Sequence, residues 1–129
     1  MTVVALVLVV LAVAVHAYVF VLESLRWMHP RTRAVFGIAT EQEARSMRLL
    51  AFNQGFYNLF LALVAFAGVL LTAAGASAAG AALLIAGAGS MVCAGVVLVA
   101  SDPRLLRAAL VQALPPALGL IAFAIGALR

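Results

Sequence analysis

The chain has 129 residues, of which 67% are hydrophobic and only 9% charged, whereas an ordinary soluble domain is roughly 45–50% apolar. A chain this short has too little interior to hide that excess, so a soluble fold is excluded and lipid is the expected solvent. The net charge of +4 comes from eight arginines, no lysines and four acidic residues; with no basic stripe interleaved with aromatics and no zinc-finger or helix-turn-helix pattern, no nucleic-acid partner is expected.

A bilayer core about 30 Å thick needs about 20 apolar residues per helix. The first such run extends from Val3 to Trp27 and is stopped by His29-Pro30, because proline lacks a backbone donor and restricts its predecessor. It has no basic leader, so it is expected to be retained rather than cleaved as a signal peptide. Met28 to Ala39 reads as a loop. Thr40-Glu41-Gln42-Glu43 then reads as a capping box that opens a second, unusually long helix over 41–72. Its polar first two turns are expected to project from the membrane or lie along its surface, and it becomes membranous from about Leu49 to Leu71.

An uncharged Ala/Gly/Ser connection from Thr72 to Gly80 leads into a third helix, 81–100. There Ala82, Ala86, Ser90 and Ala94 recur every four positions, a small-xxx-small ridge suited to close helix approach and to assembly of a homo-oligomer through this helix. Ser101-Asp102-Pro103 ends it and caps a fourth helix, 104–128, with proline in the first turn. Pro115-Pro116 predicts a kink within it. Cys93 is the single cysteine, which excludes an internal disulfide. Its place in an apolar run suggests a buried, inert thiol.

These elements predict an all-α, integral membrane four-helix bundle of two antiparallel hairpins, with residues 1–129 as one transmembrane domain. Arg26, Arg31, Arg33, Arg45 and Arg48 lie in or beside the first loop, Arg104 and Arg107 at the third, and only Arg129 at the other side. By the positive-inside rule, loops one and three face the cytoplasm and both termini lie outside.

The candidate functional residues are the polar side chains that lipid disfavours. His16, Phe20, Glu23 and Trp27 follow a 4-3-4 spacing and share one helical stripe. Asn53, Gln54, Tyr57 and Asn58 fall within one arc of helix two, and Gln112, Pro116, Gly119 and Phe123 share a stripe on helix four. The three stripes are expected to converge on the bundle axis around a polar pocket in the cytoplasmic half.

Each residue has a structural alternative. Glu23 could be a helix-end carboxylate snorkelling toward water beside Arg26. His16 could be a neutral imidazole bonded across helices, and the amides could be interhelical glue. Trp27 and Tyr57 could be interfacial aromatics. One histidine and one glutamate do not make a metal set, and no nucleotide fingerprint or nucleophilic triad is present, so neither metal nor cofactor is expected.

The residues His16-Ala-Tyr-Val-Phe-Val-Leu-Glu23, Trp27, Pro30-Arg31, Phe36-Gly37, Asn53-Gln54-Gly55-Phe-Tyr57-Asn58, Phe60-Leu61-Ala62 and Val111-Gln112-Ala-Leu-Pro115 resemble the domain-of-unknown-function family thirteen-zero-four. The resemblance covers nearly the whole chain. It implies a small four-helix protein of the bacterial inner membrane and points to these same residues, without implying an activity.

Three functions suit the pattern. The first is a membrane enzyme in which Glu23 or His16 donates a proton to a lipophilic, isoprenoid-like molecule, driving isomerisation or cyclisation. Phe20, Trp27, Tyr57 and Phe60 would then flank developing positive charge, and Asn53, Gln54, Asn58 and Gln112 would contact the substrate. The second is a proton-coupled carrier or channel for a small solute. The third is a non-catalytic lipid-binding or accessory subunit.

Overall fold

The computed structural model describes residues 3–128 and contains helices but no strand among them. Thr2 and Arg129, which entered the reading of the first span and of the charge balance, lie outside the described residues. In chain order the elements are α1 (Val3–Phe20), a π-helical turn (Val21–Leu25), α2 (Pro30–Val35), α3 (Glu41–Ala73), α4 (Ser77–Ser101), a 3₁₀ turn (Pro103–Leu105) and α5 (Leu106–Ala127). Val3–Leu25, Glu41–Ala73, Ser77–Ser101 and Pro103–Ala127 are each long and apolar enough to cross a membrane. With 33 residues, α3 is about 50 Å long at 1.5 Å per residue, so it outreaches a 30 Å core.

The four long helices form a ring in which α1 packs on α3 and α5, and α4 packs on α3 and α5. What each helix turns inward is a narrow seam with the 3-4 spacing of packed bundles. On α1 the seam is Ala5, Val9, Ala12, His16 and Val19; on α3 it includes Ala51, Gly55, Asn58, Ala62 and Ala65. The helices are apolar all round, so hydrophobicity alone does not select this seam. Residue size does. Lipid tails are as apolar as leucine, and close packing of small residues drives helix association instead. Many of the large side chains, such as Val7, Leu11, Leu49, Leu63 and Ile121, are exposed on the outside, while Leu84 and Met91 fill the centre.

The caps follow the sequence closely. Thr40 Oγ1 accepts from the Glu43 amide at 3.1 Å, while the Glu43 carboxylate accepts from the Ala39 amide at 3.2 Å. This is a capping box whose return bond reaches one residue beyond the N-cap. Asp102 accepts from the Arg104 amide at 3.0 Å. The hydrogen bonds from Arg104 to its side chain hold that carboxyl below the usual carboxylate range.

Three expectations need correction. First, the segment between Met28 and Ala39 contains α2: Pro30 occupies the first helical position, where its missing N–H costs nothing, and His29 Nδ1 accepts from the Arg31 amide. Second, the connection between α3 and α4 is only Ala74–Ala76 long, because alanine and serine after it continue readily as helix. Both positive-φ residues are glycines that end helices: Gly37 at 69° and Gly75 at 87°. Around Gly75, Ala76 N donates to Leu71 O and Gly75 N to Thr72 O, the paired bonds of a Schellman ending.

Third, the ridge of Ala82, Ala86, Ser90 and Ala94 faces outward. Cys93, on the same outer side of α4, is exposed rather than buried. The close approach is made by Gly80, Gly87 and Gly95, one register away; a β-carbon at Gly87 would lie 2.6 Å from Ala65 N and 2.8 Å from Ala65 Cα. Helix α5 runs unbroken through Pro115-Pro116, with Pro116 buried on its inner face.

Gly87 and Gly89 therefore give opposite expectations. Gly87→Ala must separate α3 from α4 and should destabilise the protein by about 1–3 kcal/mol. Gly89, whose β-carbon would meet nothing within 4 Å, should gain up to about 1 kcal/mol on Gly89→Ala from helix propensity alone. Thermal unfolding of the two variants in detergent measures the difference in sign.

Candidate functional site

The sequence-selected residues gather mainly at the end of the bundle that carries α2 and the Asp102 turn. The inward seam of α1 advances by alternating steps of four and three, reaching Val19 and then Glu23. There the helix ends in a π turn, in which Arg26 N bonds to Val21 O, five residues back, at 2.9 Å; past it Arg26 is exposed and Trp27 is buried. Such single π turns inside membrane and soluble helices recur at functional sites.

Glu23 is 8% exposed, and its Oε2 accepts from Asn58 Nδ2 across the α1–α3 contact at 2.9 Å. Asn58 also donates to Gln54 O at 3.2 Å, which fixes the amide. Gly55 makes this contact feasible: a β-carbon there would collide with Ser24 Oγ and come within 3.1 Å of Glu23 Cβ. Ser24 in turn donates to Phe52 O at 2.8 Å. Trp27 donates its indole N–H to Ala44 O at 2.8 Å and stacks obliquely on Phe36, ring centroids 5.3 Å apart. It is a buried clamp between the α1–α2 connection and α3, not an interfacial aromatic.

Beside this cluster lies a cleft of about 520 Å³, within the range of small-molecule sites. Glu23, Asn53, Gln54 and Tyr57 line it together with Trp27, and Phe36, Ile38, Met47, Leu50, Ala51 and Leu105 complete its walls. The polar groups converge on one part of an otherwise apolar space. Because Asn58 occupies one carboxylate oxygen of Glu23, the other remains available toward the cleft.

The remaining candidates lie elsewhere. His16 is fully buried on the α1 seam and does not line the cleft. Its Nδ1 faces Ala12 O at 3.0 Å; a carbonyl only accepts, so Nδ1 carries a hydrogen, and buried Nε2 has no hydrogen-bond partner among the described residues. Gln112 opens onto a separate groove between α1 and α5. Phe20 packs edge-on against Phe56 at 5.1 Å, and Phe60, 53% exposed, points outward. The three stripes thus do not share one chamber: α1 and α3 build the cleft, and α5 turns its glutamine to another face. Among the described residues, no group of three or more His, Cys, Asp or Glu side chains could hold a metal ion.

Five of the lining residues, Ile38, Met47, Leu50, Ala51 and Leu105, carry no sequence signal beyond being apolar. Phe36 and Gly55 were both within the motif segments quoted above, and Gly55 between two amides was the signal for a close contact.

The four spans, the helical ring and the cleft define a multi-pass α-helical membrane protein. The chain belongs to the family described as "Protein of unknown function (DUF1304)", which matches residues 10–124. That stretch includes every residue of the cleft and of the Glu23–Asn58 pair. The chain matches none of the curated proteins and none of the solved structures compared with it.

The Glu23–Asn58 bond makes a double-mutant cycle informative. Asn58→Leu leaves a buried carboxyl oxygen without its donor, whereas the same change in a Glu23→Leu background breaks no such bond. The two changes should couple by about 1–2 kcal/mol in unfolding free energy, read from thermal or denaturant unfolding in detergent.

Proposed function

We propose that the protein is a membrane enzyme that moves a proton on a lipophilic, isoprenoid-like molecule, with Glu23 as the acid and base. The observation that carries the reading is a buried carboxyl, oriented by Asn58 and set in a π turn, at the edge of a largely apolar cleft. In the step proposed, Glu23 gives its proton to one carbon of a substrate double bond, whose π electrons form the new C–H bond. The neighbouring carbon becomes cationic, and loss of an adjacent proton back to the carboxylate forms a shifted double bond. Capture of the cation by a second double bond instead closes a ring and moves the charge to a new carbon, which then loses an adjacent proton to the carboxylate. Either way the carboxyl is regenerated and no oxidant or reductant is consumed.

The other lining groups suit this chemistry. The rings of Trp27, Phe36 and Tyr57 border the cleft, and aromatic faces attract a developing cation. Asn53 and Gln54 are placed to hold a hydroxyl or carbonyl at the polar end. This set replaces Phe20 and Phe60 as the flanking aromatics and leaves His16 and Gln112 outside the reacting centre.

The reading is tested by incubating purified protein with polyprenyl alcohols and related olefins and following double-bond position by mass spectrometry and NMR. Glu23→Gln, which keeps size and the Asn58 contact, should lower turnover by about 10²- to 10⁴-fold, the usual contribution of a general acid–base group. Equal turnover by wild type and variant removes Glu23 from the chemistry.

We further propose that the arginine-rich end, and with it the mouth of the cleft, faces the cytoplasm of a bacterial inner membrane. Seven of the eight arginines stand at or near that end, the asymmetry that sets orientation. A periplasm-active reporter fused after residue 129 should be active and a cytoplasm-active one silent; the reverse pattern inverts the topology.

A further inference from the structure

Away from the cleft, α1 meets its other neighbour, α5, along two cavities arranged in tandem. The first, about 340 Å³, is bordered by Tyr18, Val19, Arg107 and Gln112 and roofed by Val35 and Phe36. The second, about 350 Å³, is bordered by Leu11, Leu110, Leu114 and Pro115. Val15 and Val111 line both, so the two form one continuous groove on the outer surface of the bundle. Its polar groups are confined to one end, and the remainder is aliphatic.

We propose that this groove binds one anionic glycerophospholipid. The phosphate sits on the Arg107 guanidinium, an ester carbonyl accepts from the Gln112 amide, and an acyl chain runs along Val15 and Leu114 past Pro115.

Charge complementarity selects the headgroup. Arg104 and Arg45 are already neutralised by Asp102 and Glu41, whereas among the described residues Arg107 has neither an ion pair nor a hydrogen bond to its side chain, and neither Gln112 nor Tyr18 has a side-chain partner. An unpaired guanidinium near the arginine-rich end of a span, beside a groove between helices, is a geometry that recruits anionic headgroups. Depth selects the glycerol. Gln112 lies five residues beyond Arg107 on α5, about 7–8 Å deeper at 1.5 Å per residue, where the ester groups of a lipid follow its phosphate. A free phosphate would leave the aliphatic two-thirds of the groove empty, and a zwitterionic lipid would bring its own cation toward Arg107.

The test is native mass spectrometry of the full chain released from detergent, after equilibration with equal amounts of phosphatidylglycerol and phosphatidylcholine. Wild type should retain one phosphatidylglycerol in preference. Arg107→Gln should reduce that adduct about fivefold, since each arginine near the surface contributes on the order of one such factor; Arg107→Lys should restore most of it, and Gln112→Leu should weaken it. Arg104→Gln, which removes an arginine already paired, should leave it unchanged. Equal retention of the two lipids, equal retention by Arg107→Gln and wild type, or a lipid-free dimer in which a second copy fills the groove would each overturn the proposal.

Discussion

The carboxyl of Glu23 sits inside the bundle because residue 55 has no side chain. At that level α3 approaches the π turn of α1 so closely that a single β-carbon would displace Ser24 and press on Glu23 itself. Three consequences follow from this contact. Asn58, one turn further along α3, reaches the Glu23 carboxylate; Ser24 finds a carbonyl acceptor on Phe52; and Trp27, just past the π turn, reaches Ala44. In lipid an unsatisfied polar group is far more costly than in water, so the packing of small residues and the satisfaction of polar ones are a single constraint. The same logic recurs between α3 and α4 at Gly68, Gly80 and Gly87, where the backbones themselves are in contact.

Much of this architecture was legible in the sequence because its signals are one-dimensional. Runs of apolar residues broken by Pro30, Gly75 and Pro103 place the four spans, and the Thr40 and Asp102 caps depend only on residues two or three positions away. What escaped depends on the third dimension. With helices apolar on every face, no periodicity distinguishes the ridge of Ala82, Ala86, Ser90 and Ala94 from the glycine register that actually packs. Only the partner helix decides, and Ala65 lies opposite Gly87. Helix α2 was obscured for a different reason: six residues give too short a window for periodicity, and Pro30 reads as a stop when it is in fact a start.

For the site, spacing found the right neighbours on α1 and α3 and mistook their directions. A uniform 100° per residue puts His16, Phe20, Glu23 and Trp27 on one line, and the π turn breaks that uniformity after Val21. On α3, the arc containing Asn53, Gln54, Tyr57 and Asn58 is wider than the seam it serves. Asn58 points into the α1 contact, while Asn53, Gln54 and Tyr57 flank it along the cleft. Gln112 was assigned to the shared chamber because lipid disfavours an amide, yet it lines, with Arg107, a separate groove between α1 and α5.

Helix α1 therefore separates packing from chemistry along its length. His16, a polar residue on a regular stretch of the seam, is enclosed by the core; its Nδ1 is held by Ala12 O, and it lines neither the cleft nor the α1–α5 groove. Seven residues on, Glu23 occupies the same seam at the point where the helix changes pitch, and there the connection to α2 swings away and leaves space between Trp27, Phe36 and α3. Phe36 borders both that space and the α1–α5 groove, so the Pro30–Ile38 segment forms a common roof over the two. At this one level the packing of α3 and the polar contacts coincide: Gly55 lets the backbones meet, Asn58 takes one carboxylate oxygen of Glu23, and Trp27, bonded to Ala44, walls the cleft beside it.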